Sequence, residues 1–580
     1  MTLRWQTLRS SWPTWLAASA VVALALKVTI GLDGTFDVFF DDEAIYLDGA
    51  RHLGDRFLPL AESSPLYPLW YRALGLFQPD PLKLYFLGWF VLTAALPVVL
   101  YALARRSGAP LFAAVAVASV WALSSAATTW PFVSKFATLV LALGALASTY
   151  ARDARVGVAL SAAALSAAAF ARPELALPAA GFALTILVWC LVGLRRSRGG
   201  RRRRAAAVGG LVTIAAPLAL RAVFGKVGNP FAYGRQFFAF GQHYALNVVE
   251  DRQLPLDPWT SWLPIARESF PTAGSIADAA RENPAAFAWH VKRNASLLPD
   301  AVHALLKPLP HEPGVVRAAA LVALVVTLVF AASAVATRRA PRLPAPLVRW
   351  TPLLLAMGLA TGASSILVYP RQHYILPLTF FALAAVAAAA GHLRGASALA
   401  ATRPGRWSRS AVALFAALLV AAVPTARPGA LPALLATIGP PPAPESAQEN
   451  RATIHALRKL SLVSLPWGPV APREAWMPTV VLLEPDYSRG VFAFHDFVRV
   501  EQWRKTTPFW QFVRDTWTNV IVLNARLLND GHLRDDPDFV AFVDGTGERE
   551  DFEMYPVEGT SVVLAVRRSL LQFASVQPNR

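Results

Sequence analysis

The chain has 580 residues, of which 55% are hydrophobic and 16% charged, and its formal net charge is +18. Apolar runs recurring between arginine clusters exclude an ordinary soluble protein of this length and define a polytopic membrane protein. The Lys and Arg excess falls in short loops between those runs, the positive-inside pattern, so nucleic acid is not its reason. Cys190, the single cysteine, lies inside an apolar run and excludes an intramolecular disulfide or a cysteine metal cluster.

Taken in order, the N-terminus carries Arg4 and Arg9 ahead of an apolar run from Trp12 to Leu32. The run is long for a secretory signal and no small-x-small site follows, so it reads as an uncleaved first span. Lys27, near its outer end, is expected to snorkel to the interface, with a role beside the acids that follow the span as the alternative. Residues 33–83 form a first outer loop. Further spans are expected at 84–104, 110–128, 132–150, 156–171, 175–194 and 205–223, then a long outer loop at 224–314, then spans at 315–336, 350–368, 375–393 and 411–433. That makes about eleven transmembrane helices in a membrane domain of residues 1–435. A Pro-rich linker at 436–446 contains Gly439 to Pro444.

Charge tests the count. The inner loops hold blocks such as Arg105-Arg106, Arg195-Arg196 and Arg201 to Arg204 and are nearly free of acids. Loop 33–83 carries nine acids against four Lys and Arg, and loop 224–314 balances eight against eight. One span more or fewer would move an arginine block outside. The N-terminus is therefore expected in the cytoplasm of a bacterium, with both long loops and the C-terminal region on the outer side of the inner membrane.

Residues 447–580 are less hydrophobic and read as a small soluble periplasmic α/β domain. Strand-like runs are Thr479–Leu483, Val491–Phe494, Asn519–Leu523, Phe539–Val543 and Ser561–Val566; helix-like segments lie near 447–460 and 501–515. No glycine-rich phosphate loop is present, so no nucleotide site is assigned.

The stretch with most chemistry in it is Asp41-Asp42-Glu43, at the mouth of the first span. Three acids there are costly unless water or a cation is near. They suit two roles. One is capping the helix that begins there, where the dipole stabilises them. The other is a carboxylate held at the membrane face as a general base toward a hydroxyl or amine. Further on come Glu62-Ser63-Ser64-Pro65-Leu66-Tyr67-Pro68-Leu69-Trp70 and, in a late outer turn, Tyr369-Pro370-Arg371-Gln372-His373-Tyr374.

The order of first span, DDEAIYLDGARHL, SSPLYPLWYRAL and YPRQHYILPL, with an ARPELALP turn between, resembles the GT-C glycosyltransferases that use polyprenyl-phosphate sugars, and within them the protein-mannosyltransferase and aminoarabinose-transferase branch. The resemblance covers residues 12–390. It implies inverting transfer of a sugar from a polyprenyl-phosphate donor to an envelope lipid, glycan or protein among the membrane lipids. Asp42 matches the catalytic aspartate of the first outer loop, Asp41 is its reserve, and Glu43 supports it. Arg371 matches the late arginine that takes the phosphate, where a guanidinium binds two-pronged; Tyr374 and Tyr67 fall in the same matched elements. Arg172 and Lys135, in other outer turns, are further phosphate candidates. Arg371 also suits an interfacial anchor, since Tyr369, His373 and Tyr374 fit a headgroup belt. Glu62 stands where the family places an acidic partner for sugar hydroxyls or a divalent metal (Mg or Mn), although a surface charge is the simpler reading. The aminoarabinose branch carries a Lys before Pro-Leu-Tyr where this chain has Ser63-Ser64, so that branch's sugar and lipid A specificity are not carried over.

No histidine pair has metal-ligand spacing, and His243, His290, His303 and His311 read as scattered surface groups. Phe237, Phe238, Tyr244, Trp259 and Trp262 read as marks of interfacial helices rather than a sugar-stacking platform, with acceptor docking there as the alternative. The competing function is a transporter or flippase for a lipid-linked saccharide, which would call for mid-span polar groups repeated in two halves; the acids sit instead at one face.

Overall fold

The computed structural model describes residues 2–30, 32–38, 42–53, 65–196, 199–224, 235–307, 345–396, 448–459, 481–484, 496–499 and 507–568, less short breaks within 255–260, 517–532 and 548–550. Two compact units divide it. The first holds Met1–Ile30, Ala61–Tyr67 and Trp89–Pro440, the second Gly31–Leu60, Pro68–Gly88 and Pro441–Arg580.

In chain order the helices are α1 (Thr2–Thr29), α2 (Leu32–Thr35), α3 (Asp42–His52), α4 (Leu66–Gly75), α5 (Pro81–Arg106), α6 (Leu111–Leu123), α7 (Val133–Tyr150), α8 (Ala154–Ala169), α9 (Ala176–Arg196) and α10 (Gly200–Phe224). Then come α11 (Arg235–Arg252), α12 (Trp262–Ser269), α13 (Ile276–Glu282), α14 (Pro284–Leu306), α15 (Ala345–Leu367) and α16 (Gln372–Ala396).

Among the described residues seven helices are long and apolar enough to cross a membrane: α1, α5, α7, α9, α10, α15 and α16. A helix is the form that satisfies every backbone group within itself, which hydrocarbon demands. The expected span at 110–128 is shorter than read, and the one at 156–171 has its expected length, shifted two residues toward the N-terminus. α6 has 13 residues because the chain leaves helical geometry at Ser124 (φ −100°, ψ 167°), and α8 has 16. The expected spans at 315–336 and 411–433, and the linker at 436–446, lie outside the described residues.

Small residues set the helix approach. A Cβ on Gly144 of α7 would stand 2.1 Å from the Ala164 Cβ of α8, so only glycine lets the two backbones come this close. At the arginine ends, the Arg349 Nη1 donates to the Thr149 carbonyl at 2.9 Å, and the Trp350 indole donates to Ser107 Oγ at 3.0 Å. α9 and α10 expose Leu177, Leu184, Trp189, Leu211 and Leu218, a face suited to lipid. Lys27, expected at the interface, is instead buried at 2% exposure; its position faces the protein, not the lipid side of α1.

Helices α11 to α14 form a small helical body with its own core. Phe237, Phe240, Tyr244, Ile265 and Phe270 pack together. This corrects the interfacial reading of its aromatics: Phe237 and Tyr244 are core, while Phe238 and Trp259 are exposed. α14 then fixes the turns at the other end of the bundle. The Asn294 Nδ2 donates to the carbonyls of Ile366 (2.9 Å) and Val368 (3.1 Å), and the Ser125 amide donates to the Lys307 carbonyl at 2.8 Å.

In the second unit, α17 (Glu449–Lys459), β1 (Val481–Glu484), β2 (Asp496–Arg499), α18 (Phe509–Asp515), β3 (Val520–Leu523), α19 (Ala525–Leu528), α20 (Pro537–Asp544), β4 (Phe552–Pro556) and β5 (Val563–Arg567) make a covered sheet. Its order is β2-β1-β3-β5-β4. β2, β1 and β3 run parallel, with Leu482 opposite Val520, and β3–β5 and β5–β4 are antiparallel. Side-chain alternation sends Ile521, Leu523 and Ala565 to one face with α18 and α20, and Val520, Val522 and Leu564 to the other with Leu457 of α17. Phe539–Val543, expected as a strand, is helix α20. Asp536 accepts from the Asp538 and Phe539 amides, Pro537 opens the first turn and Gly545 closes it at φ 71°; these caps outweigh the β-branched pattern. Val491–Phe494 lies outside the described residues, and β4 is a strand the pattern does not announce.

Most of the first outer loop, residues 33–60 and 68–83, belongs to this unit. Asp37 accepts from the Asn450 amide at 2.7 Å and the Arg451 amide at 3.0 Å, capping α17 from over 400 residues away. Farther along α17, Arg458 pairs with Asp80 at 2.8 Å.

Candidate active site

The acids stand on α3. Asp42 is its first residue, so its backbone lies at the positive end of the helix; its side chain, all of Asp41 and all of Glu62 lie outside the described residues. Glu43 is fully buried and accepts from the Tyr71 hydroxyl at 2.7 Å. Ala44, Tyr46, Leu47 and Ala50 are buried along the same helix, and Pro68 of α4 lies 3.4 Å from where a Cβ on Gly49 would stand. α3 is thus a packed element, not a loose loop, and holds its first residue in a fixed place.

The cations belong to the first unit. Lys135, near the start of α7, is fully buried. Its ammonium donates to the Ala127 carbonyl and, at 3.2 Å, to Thr93 Oγ1. It also lies 5.8 Å from the Trp89 ring and 5.5 Å from Phe132. Thr93 Oγ1 donates to the same carbonyl at 3.0 Å, so several donors converge on the 124–132 turn. Arg172, 8% exposed, pairs with Glu174, donates to Ser134 Oγ at 2.9 Å and stands 4.9 Å over the Tyr374 ring. Tyr67 is fully buried, its ring 5.3 Å from Phe136.

Arg371 differs from both. It sits in the turn between α15 and α16, partly exposed, with its guanidinium 4.9 Å over the Trp259 ring. Among the described residues it has no carboxylate partner and no side-chain hydrogen bond. Tyr374 sits one helical turn on, its amide donating to the Arg371 carbonyl at 3.0 Å.

Around Arg371 the structure assembles a group that linear spacing does not reveal. His243 of α11 is 5% exposed. Its ring stacks on Tyr369 (5.4 Å, 29°) and meets Trp259 edge-on (5.6 Å, 86°). Nδ1 bonds the Ala239 carbonyl at 2.7 Å. Burial first, and then the Arg371 charge, hold the imidazole's pKa down to about 3, so it is neutral at ordinary pH. His290 is fully buried between Asn247 (2.9 Å) and Asn294 (3.0 Å), and burial pushes its pKa down to about 4. His373 is 8% exposed, its ring 4.3 Å from that of Tyr374. Of the four histidines expected at the surface, only His303 is exposed, and His311 lies outside the described residues. The signal was present: Phe240, His243, Tyr244 and Asn247 recur at helical spacing, which puts all four on one buried stripe.

Among the described residues no three His, Cys, Asp or Glu come together as a metal site; the acids that would serve, Asp41, Asp42 and Glu62, are not among the described side chains.

The sequence matches no protein-family model and no curated protein. Among solved structures the chain is similar to ArnT from Cupriavidus metallidurans bound to undecaprenyl phosphate, at 16% identity and a TM-score of 0.38, over 98% of this chain and 100% of that one. The apo state of that protein gives 14% identity and 0.35, over 99% and 100%. The oligosaccharyltransferase of Archaeoglobus fulgidus, in complex with Zn and sulfate, gives 10% identity and 0.39, over 96% of this chain and 75% of that one. At such identities and scores no role passes from those proteins to this chain.

Proposed function

We propose that the protein is an integral-membrane inverting glycosyltransferase that moves a sugar from a polyprenyl-phosphate donor to an acceptor on the extracytoplasmic face. The observation that carries this reading is Arg371: a cation fixed against an aromatic ring at a helix turn, with no carboxylate partner among the described residues. Arg172, by contrast, has Glu174. A guanidinium with no carboxylate partner among the described residues suits an anion brought by a ligand.

In this reaction the acceptor oxygen attacks the anomeric carbon. The Asp42 carboxylate takes the acceptor's proton, and the bond from that carbon to the phosphate oxygen breaks with its electron pair. The lipid phosphate leaves with one more negative charge than the donor carried, and Arg371 stabilises it. The sequence order of motifs supports Asp42 in this role, and the packing of α3 supports a base held in place. Glu43, buried on Tyr71, holds the helix. A divalent metal held at Asp41 or Glu62 would supply further positive charge for the phosphate.

The test uses the full chain in detergent or nanodiscs with a short-chain polyprenyl-phosphate sugar. Asp42→Asn is expected to lower turnover by about 10²–10⁴-fold while donor affinity stays within about twofold. Full turnover in this variant sinks the base assignment. A chain that binds no lipid phosphate at all sinks the whole reading.

A further inference from the structure

We propose that His243 is a sugar-reading residue, its Nε2 accepting a hydrogen bond from a hydroxyl of the ligand whose phosphate sits on Arg371. This rests on the glycosyltransferase reading and extends it to the donor's sugar.

The bond from Nδ1 to the Ala239 carbonyl at 2.7 Å needs the proton on Nδ1, because a carbonyl only accepts. Nε2 is then a bare acceptor. It is buried, and among the described residues no donor meets it. An unmet buried acceptor is uncommon, and one in a binding site is answered by the ligand. What answers it must carry an O–H or N–H. A phosphodiester has neither.

The ring is fixed on both sides, by Tyr369 in a stack and by Trp259 at its edge. Trp259 also carries Arg371 on its face at 4.9 Å, and the Arg371 amide bonds the Tyr369 carbonyl at 2.9 Å. One small patch therefore offers a cation without a described carboxylate and a neutral acceptor without a described donor. Together they match a ligand that is both anionic and hydroxylated: a glycosyl phosphate. The shared ring is accessible, Trp259 being 38% exposed. The Arg371 charge beside the imidazole also opposes its protonation, so Nε2 stays an acceptor while the site is empty.

Among the described residues, the titratable groups that act on His243 lie on two segments beyond its own helix. Arg371 and His373 lie on the turn into α16, and His290 on α14. None is an anion that would turn Nε2 into a donor.

The experiment compares ligands of equal charge. Farnesyl-phosphate hexosides of mannose, glucose and galactose are titrated calorimetrically into the full chain, beside methyl farnesyl phosphate, which has the diester but no hydroxyls. The wild type is expected to prefer at least one hexoside. His243→Phe keeps a ring on Tyr369 and is expected to lose roughly tenfold of that preference, the size of one hydrogen bond, with the methyl ester unaffected. His243→Gln, which returns an oxygen at similar reach, is expected to restore most of it. Loss of affinity for hexoside and methyl ester alike in His243→Phe, no loss for either, or no hexoside preference in the wild type overturns the inference and leaves the phosphate site standing. A wild type that binds none of these lipids overturns both.

Discussion

Two turns of the first unit each carry a cation that sequence position alone offers to a phosphate, and they treat it in opposite ways. In the 124–135 segment, Lys135 is sealed from solvent, and its ammonium lies on a backbone carbonyl, a hydroxyl and two aromatic rings. In the 368–374 segment, Arg371 keeps partial exposure, an aromatic support and no described carboxylate. The difference teaches that a cation's place in an outer turn does not decide its use. The available protein acceptors decide it: once an ammonium closes a turn, its donors are no longer offered to a ligand, whereas a guanidinium held by ring contact keeps all of its donors.

The comparison breaks most visibly on stability. Lys135→Ala removes the buried ammonium and its stem. It is expected to cost about 3 kcal/mol, because a cavity replaces the stem and the Ala127 carbonyl loses a charged donor. The thermal midpoint of the detergent-solubilised chain measures this. Lys135→Met keeps the stem volume and removes the buried charge, so it is expected to recover more than half of the loss. A Lys135→Ala chain of normal stability that fails to bind donor would reverse the assignment and make Lys135 a phosphate ligand.

Arg371→Ala supplies the mirror image. Its contact is with a surface ring, so the midpoint is expected to stay within about 1 kcal/mol of wild type, as for most exposed substitutions. Donor affinity is expected to fall about 10–100-fold, the size of charge-assisted hydrogen bonds to phosphate. Arg371→Lys should recover part of it, since a point charge replaces the two-pronged fork. Unchanged donor affinity makes Arg371 an interfacial anchor and removes the contrast with Lys135.

How much of this could be read in advance follows the same physics. Apolar runs flanked by arginines gave spans that the helices match within a few residues, as in 132–150 against α7 and 175–194 against α9, because length and polarity alone fix such elements. The short α6 was not legible: Ser124 breaks the helix by its backbone conformation while the residues around it stay apolar. In the second unit, composition pointed to a strand at 539–543, where an Asp-Pro start and a glycine stop made a helix. The proposed site is legible where it is written as a motif, at Asp42 and Arg371. It was illegible where a polar residue lies in a buried stripe. His243 and His290 look like loop histidines until Phe240, Tyr244 and Asn247 are put on the same face, and long-range packing against Tyr369 and Asn294 is what buries them.

Those two histidines give the finest test of the contrast, through acid sensitivity. Each is held neutral in the folded chain, His243 with its pKa near 3 and His290 near 4, against an ordinary value of 6.5. The unfolded chain therefore binds protons that the folded chain refuses. Stability is full above pH 6.5 and is lost as pH falls, down through about 3 for His243 and about 4 for His290. At pH 5.5 each is expected to have cost about 1.4 kcal/mol relative to pH 7.5, because one pKa unit of differential binding is worth about that much. The measurement is the thermal midpoint of the full chain between pH 7.5 and 5.5, in wild type and in His243→Phe. The variant should lose about half of the acid-dependent drop that the pair contributes. Lys135→Met, in the other turn, should leave the drop unchanged. If the acid-dependent drop is the same in His243→Phe as in wild type, His243 titrates normally in the folded chain. Arg371 then has no neutral, buried acceptor beside it, and the two turns differ less than their geometry says.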